Sequence, residues 1–207
     1  GKDEHLWAEN YDRLLSVENL IAVQSDIAQS VAGTVGILLS PEERGRIERR
    51  PTENLEAYDY YLVGRHHVHR WSLSDLEEGL HYLKKAVEVD PDFAQGHAGI
   101  AYAYSAMAVF GQSPDDTWPN ARAAAERALA MDETQAEAHT ALALEALSHR
   151  YDWHGARAGF QRALEFNPDS VDALDWLAVT THGIWGQPEE ARHYSLRARE
   201  ADPHSVT

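Results

Sequence analysis

Residues 86–101 read AVEVDPDFAQGHAGIA. An Ala-rich helical run meets an Asp-Pro turn, and a second Ala-rich run begins at once. The same sentence returns as ALAMDETQAEAHTALA at 128–143 and as ALEFNPDSVDALDWLA at 163–178, with a partial copy, AREADPHSV, at 198–206. Ala86, Ala128, Ala163 and Ala198 are equivalent and stand 42, 35 and 35 residues apart. A second ruler, the small residues Gly64, Ala101, Ala143 and Ala178, gives separations of 37, 42 and 35. Both rulers define four helix–turn–helix units. One such hairpin cannot bury its apolar side alone, so the units must stack.

Local punctuation places the helices. Proline cannot continue a helix and biases the residue before it away from helical angles, so Asp90-Pro91, Asn167-Pro168 and Asp202-Pro203 end helices. Ser74 with Glu77 has capping-box spacing. Gln187-Pro188-Glu189-Glu190 opens a helix with Pro in the first turn and acids at the positive end of the dipole, and Trp118-Pro119 is read as a similar start. The spacing predicts helices over 54–69, 74–89, 93–109, 118–131, 135–149, 153–166, 170–184 and 188–201, with a long loop at 111–120. Small residues at Gly64, Ala101, Ala143 and Ala178 let paired helices cross closely. Leu83, Tyr104, Leu142 and Phe160 fill the gaps between hairpins. Trp153 and Trp176 are expected in the core, and Trp71 and Trp118 in loops.

Upstream, VENLIAVQSDIAQSVAGTVGILL at 17–39 places Leu20, Ile27, Val31, Val35 and Leu38 on one helical face. Ser40-Pro41-Glu42-Glu43 then starts a short helix over about 41–49. The expected organisation is a severed upstream end or extended arm at 1–16, a helical cap or linker at 17–50, and the array at 51–207. The units of the array are about 53–91, 92–133, 134–168 and 169–203.

Period, turn and small-residue pattern together resemble the tetratricopeptide family over about 53–207. The resemblance implies an all-α, right-handed superhelical solenoid of about four repeats, here with an N-terminal capping segment. Glu133, Ser195 and Ala125 depart from the usual turn Pro and large aromatics. The stretch LWAENYDRLLSVENLIAVQSDIAQSVA at 6–32 resembles the end of the TolB-like region of large bacterial regulators. In that group such repeats follow class III nucleotide cyclase, winged-helix or kinase domains. PTENLEAYDYYLVGR at 51–65 and YDWHGARAGFQRALEFNP at 151–168 are similar to that group too. The chain is accordingly read as a piece of a longer regulator, non-catalytic itself, whose parent could carry a cyclase.

Composition narrows the partners. The 207 residues carry 18 Lys+Arg against 34 Asp+Glu, a formal net charge of −16. Residues 1–51 hold 6 basic and 9 acidic side chains, and residues 171–207 hold 3 and 6, so no segment is basic. Nucleic acid and anionic membrane surfaces both need cationic patches, and neither is expected as a partner. With no Cys there is neither a disulfide framework nor a thiolate metal site. That fits a reducing compartment, and a cytoplasmic location is expected, although a parent could be membrane-anchored.

Chemistry-bearing motifs are few. His66, His67 and His69 form a cluster, HHVH, but neighbours on a helix diverge by about 100°. At most His66 and His69 share a face, with Asp59 or Asp75 as a nearby carboxylate. The reading is structural, with no metal and no cofactor. His97 and His139 are read as imidazoles wedged between helices. Paired acids at 42–43, 77–78 and 189–190 offset helix N-termini rather than catalyse.

The family resemblance implies a concave groove lined by the first helix of each unit. The positions facing it are Tyr58, Tyr61, Arg65, Gln95, Tyr102, Glu137, Thr140, Asp172 and Asp175. The expected ligand is a protein or peptide segment of apolar and basic character. The alternative is a scaffold that packs on its own upstream domain or on a second copy.

Overall fold

The computed structural model describes residues 51–203, together with Asp26, Ile27 and Ser30, which are helical. The expectations for the arm at 1–16 and for most of the cap at 17–50 lie outside the described residues. Among these residues all regular structure is α-helix: α1 Leu55–Val68, α2 Leu73–Val89, α3 Ala94–Val109, α4 Pro114–Met131, α5 Ala136–Ser148, α6 Trp153–Phe166, α7 Val171–Gly183 and α8 Pro188–Ala201. No helix among them is long and apolar enough to cross a membrane.

The helices pair in chain order as α1–α2, α3–α4, α5–α6 and α7–α8, and each hairpin packs on the next. The first helices also touch one another in a row, α1 to α3 to α5 to α7, and the second helices form no such packed row. The array is therefore a tetratricopeptide-like solenoid with first helices inside and second helices outside. Sequence explains the division. On α3 nearly every position from Gly96 to Met107 is buried, on all sides, and the segment is Ala- and Gly-rich throughout. On α2 only Leu76, Gly79, Leu80, Leu83 and Ala86 are buried, a single stripe.

The repeated alanines have a physical reason. Ala86, Ala128 and Ala163 are fully buried and Ala198 nearly so. The carbonyl of each accepts the capping amide of Asp90, Asp132, Asn167 or Asp202, every one at 2.9 Å. Asp90, Asp132 and Asn167 then hold the turn with a side-chain oxygen that accepts the amide two residues on. At Asp132 the carboxylate also takes the Thr134 hydroxyl and the Gln135 amide. This turn lacks Pro yet ends its helix as the others do, so the Asp/Asn cap carries the stop and Pro reinforces it.

α1 and α2 cross glycine to glycine. A Cβ on Gly79 would stand 2.8 Å from the Gly64 carbonyl and 2.7 Å from Val68 Cγ2. Within each hairpin the elbow has one residue at positive φ: Trp71 (51°), Gly111 (91°), Tyr151 (55°) and Gly186 (62°). Two aromatic residues thus occupy a conformation that costs an L-residue roughly 1–2 kcal/mol. Trp71 packs on Tyr102 and Phe110, at ring distances of 6.2 and 5.7 Å.

Several expectations change. The cap of α2 is Ser72, not Ser74; its hydroxyl accepts the Asp75 amide at 3.1 Å and donates to the Asp75 carboxylate. α4 begins at Pro114, four residues before the expected start, and absorbs most of the predicted loop. Ser113-Pro114-Asp115-Asp116 is itself a start signal, with Pro at the first position and acids in the first turn. Pro119 falls inside the helix, where it forfeits the bond to the exposed Asp115. Burial of Thr117 and Trp118 offsets that loss. Trp153 is not core: at the first position of α6 it is about half exposed.

Candidate concave-face site

The first helices carry a group of polar side chains inward, and those side chains meet across units. Arg65 extends from α1, where Nη1 donates to Tyr61 Oη at 2.9 Å and to Glu137 Oε2 at 3.3 Å. Glu137 belongs to the first turn of α5, two units away. Tyr102 on α3 donates to Asp172 Oδ1 on α7 at 2.6 Å, again spanning two units. His69, the C-cap of α1, completes the group. Its Nε2 is 3.1 Å from Arg65 Nη2 and 3.9 Å from Asp172 Oδ2. Residues about 70 apart in sequence are thus bonded, which requires the row of first helices to curve inward.

Burial and charge act together here. Burial pushes the Tyr61 hydroxyl up to about 12, against the pull of the Arg65 cation. Burial raises Tyr102 well above the ordinary phenol value, and the negative charge of Asp172 adds to it. Burial also lifts the Glu137 carboxyl; Arg65 opposes the shift and Asp172 adds to it. Arg65 is pulled downward by burial, yet Glu137, Tyr61 and Asp172 outweigh that and hold it firmly charged. One permanent cation therefore serves two carboxylates. Arg65 Nε and Glu137 Oε1 are buried with no hydrogen-bond partner.

The nine predicted groove positions divide. Tyr61, Arg65, Tyr102, Glu137 and Asp172 form the network, and Tyr58 stacks beside Tyr61 at 6.2 Å. Tyr58, Tyr61, Tyr102 and Thr140 are buried, so their side chains support the face more than they present it. Thr140 turns its hydroxyl back to the Ala136 carbonyl at 3.0 Å. Gln95 and Asp175 are half-buried, and no bond from Gln95 reaches the network.

His69 was missed as a member of this face, although its place four residues after Arg65 puts both on one side of α1. The HHVH imidazoles go three ways. His66 is exposed, His67 meets Asp75 Oδ1 at 3.2 Å and stacks on Tyr82 at 6.0 Å, and His69 turns to the concave face. Among the described residues no group of three His, Asp or Glu side chains is arranged to hold a metal ion. His97 is buried, with Nε2 3.0 Å from the Pro91 carbonyl oxygen. His139 makes the equivalent contact with the Glu133 carbonyl at 2.9 Å.

No family model matches the chain. A protein of Rhizobium meliloti (strain 1021) named "Putative adenylate cyclase 3" is 31% identical over 140 residues, covering 65% of this chain and 23% of that protein. The chain thus matches about a quarter of the length of this relative. Two crystal structures of MamA are similar to it. One has a TM-score of 0.43 and 20% identity over 81% of this chain and 97% of the MamA chain. The other has a TM-score of 0.43 and 18% identity, over 90% and 92% respectively.

Proposed function

We propose that this chain is the protein-interaction module of a larger bacterial signalling protein, not itself catalytic, and that it holds a polypeptide segment on its concave face. The observation that supports this most directly is the charge imbalance of that face. Among the described residues, Arg65 pairs with Glu137 and also acts electrostatically on Asp172, so the surface between α1, α5 and α7 has a surplus negative charge at low solvent exposure. Such a surface favours an incoming Lys or Arg over an acidic group. The surrounding tyrosines supply apolar walls with polar tips, as contact surfaces commonly do. The ligand is accordingly a segment of apolar and basic character.

Titration with a peptide alternating Lys and Leu tests this against Asp172→Lys/Asp175→Lys, with Asp175→Lys alone as a version that spares the Tyr102 bond. Binding to the wild type with loss in both variants is expected. Unchanged affinity in both would remove the assignment.

A second reading is an intramolecular or oligomeric scaffold that restrains an upstream output domain such as a nucleotide cyclase. The 31% identity to a protein named as a cyclase favours it, as does a face whose side chains already bond to one another. Light scattering separates the two. A monomer that binds the peptide supports the groove; a tight dimer that excludes the peptide supports the scaffold.

A further inference from the structure

His69 is held by two opposite kinds of partner. Its Nδ1 lies 3.0 Å from the Arg65 carbonyl oxygen, and its Nε2 lies 3.1 Å from Arg65 Nη2. A carbonyl can only accept and a guanidinium can only donate. The ring that satisfies both is neutral, with its hydrogen on Nδ1 and a lone pair on Nε2. Asp172 Oδ2 waits 3.9 Å from that same Nε2.

A proton on Nε2 reverses these preferences. Two donors and two positive charges then face each other at Arg65, while Asp172 becomes the fitting acceptor. Asp172 can take the new bond, because Tyr102 holds its other oxygen, Oδ1. The ring has room to move, since the His69 side chain is 42% exposed and Asp172 is 17% exposed.

Among the described residues, the charges facing His69 are Arg65 on α1, Glu137 on α5 and Asp172 on α7, with the Tyr102 hydroxyl of α3 behind Asp172. Arg70, next in the chain, is turned to Asp75 at 3.6 Å. With His69 neutral this set has one positive and two negative charges. Protonation of His69 balances it. A basic side chain from a bound segment would balance it equally well, and at the same carboxylate.

We propose that His69 is a proton-operated latch on the concave face. Neutral, it rests on Arg65 and leaves Asp172 Oδ2 to the ammonium or guanidinium group of a bound segment. Protonated, it turns from Arg65 to Asp172 and takes that group's place. Binding of a basic segment is then proton-linked, strong near neutrality and weakened in mild acid. This rests on the reading of the concave face as a surface for basic segments, and the experiment has one arm that does not.

That arm is nitrogen-15 NMR of the imidazoles in the free chain at about pH 8, above the usual histidine range. His69 is expected as the Nδ1–H tautomer, and an Nε2–H tautomer overturns the latch whatever binds. The second arm titrates the Lys/Leu peptide at about pH 7.5 and about pH 5.5, on either side of the ordinary imidazole range, and reads the fall in affinity in acid. The fall is expected in the wild type and in His81→Gln, whose residue lies on the outer helix α2. It should nearly vanish in His69→Gln, whose amide oxygen can accept from Arg65 but gains no charge. An equal fall in His69→Gln overturns the latch. If no basic peptide binds at any pH, the binding reading fails by itself, and the tautomer still decides the latch.

Discussion

Replacing Arg65 by Met keeps the aliphatic stem and removes the permanent cation that, among the described residues, serves Glu137 and Asp172. The Glu137 side chain is 12% exposed and the Arg65 side chain 31% exposed. Removing one partner of a buried ion pair costs about 3–5 kcal/mol, because the other charge stays buried and alone. Solvent reaches Arg65 along part of its length, which places the expected cost near the lower end, about 3 kcal/mol at neutral pH. The cost should depend on pH in a definite direction. Burial already raises Glu137, and Arg65 is the main influence holding it down. Without Arg65 its value climbs further. A carboxyl whose native value lies above its unfolded value binds its proton more tightly in the folded chain. Its stabilising effect is complete below the ordinary value of 4.5 and is lost as pH rises through the raised native value. In Arg65→Met that loss runs to a higher pH than in the wild type. Urea unfolding followed by circular dichroism at about pH 5 and about pH 8 reads the difference. The destabilisation should be smaller at the lower pH, and Arg65→Met/Glu137→Gln should recover most of it. A cost under about 0.5 kcal/mol at neutral pH, or the same cost at both, refutes the argument that Glu137 depends on Arg65.

Other perturbations isolate other features. Tyr151 is 74% exposed at φ 55°, so Tyr151→Gly should raise stability in thermal unfolding by up to about 1 kcal/mol. Trp71→Gly relieves similar strain but strips a ring from Tyr102 and Phe110, and should lower stability instead. Gly79→Ala forces a methyl against the Gly64 backbone, and should cost about 1–3 kcal/mol in urea unfolding despite the better helix propensity of Ala. Phe160 is fully buried in the main core, and Phe160→Ala should cost about 3–5 kcal/mol in the same measurement.

Most helix boundaries were legible because they are written locally. The Asp or Asn cap, the Ala four residues before it and the Pro after it act within one turn of chain. The predicted ends of the second helices at 89, 131, 166 and 201 therefore coincide with those observed. The start of α4 was legible too, in Ser113-Pro114-Asp115-Asp116, but Pro119 suggested a later start that the burial of Trp118 overrides. Trp153 shows the opposite limit. A large aromatic within a helix suggests core, yet exposure depends on which neighbour lies across the elbow, and no local pattern carries that.

For the concave face, repeat position located Arg65, Tyr102, Glu137 and Asp172 on inner helices. It did not reveal that they bond to one another, because those contacts join residues 72 and 70 positions apart. His69 drew notice only as part of HHVH, and its partner Asp172 lies on the last inner helix. Sequence by itself determined the repeat and the hairpins, since caps, periodicity and small residues act at short range, and the family resemblance implied which helices face inward. Tertiary structure alone decided which inner side chains are buried, which charges share a counter-ion and which imidazole joins them. Those properties arise when curvature brings distant units within hydrogen-bond reach.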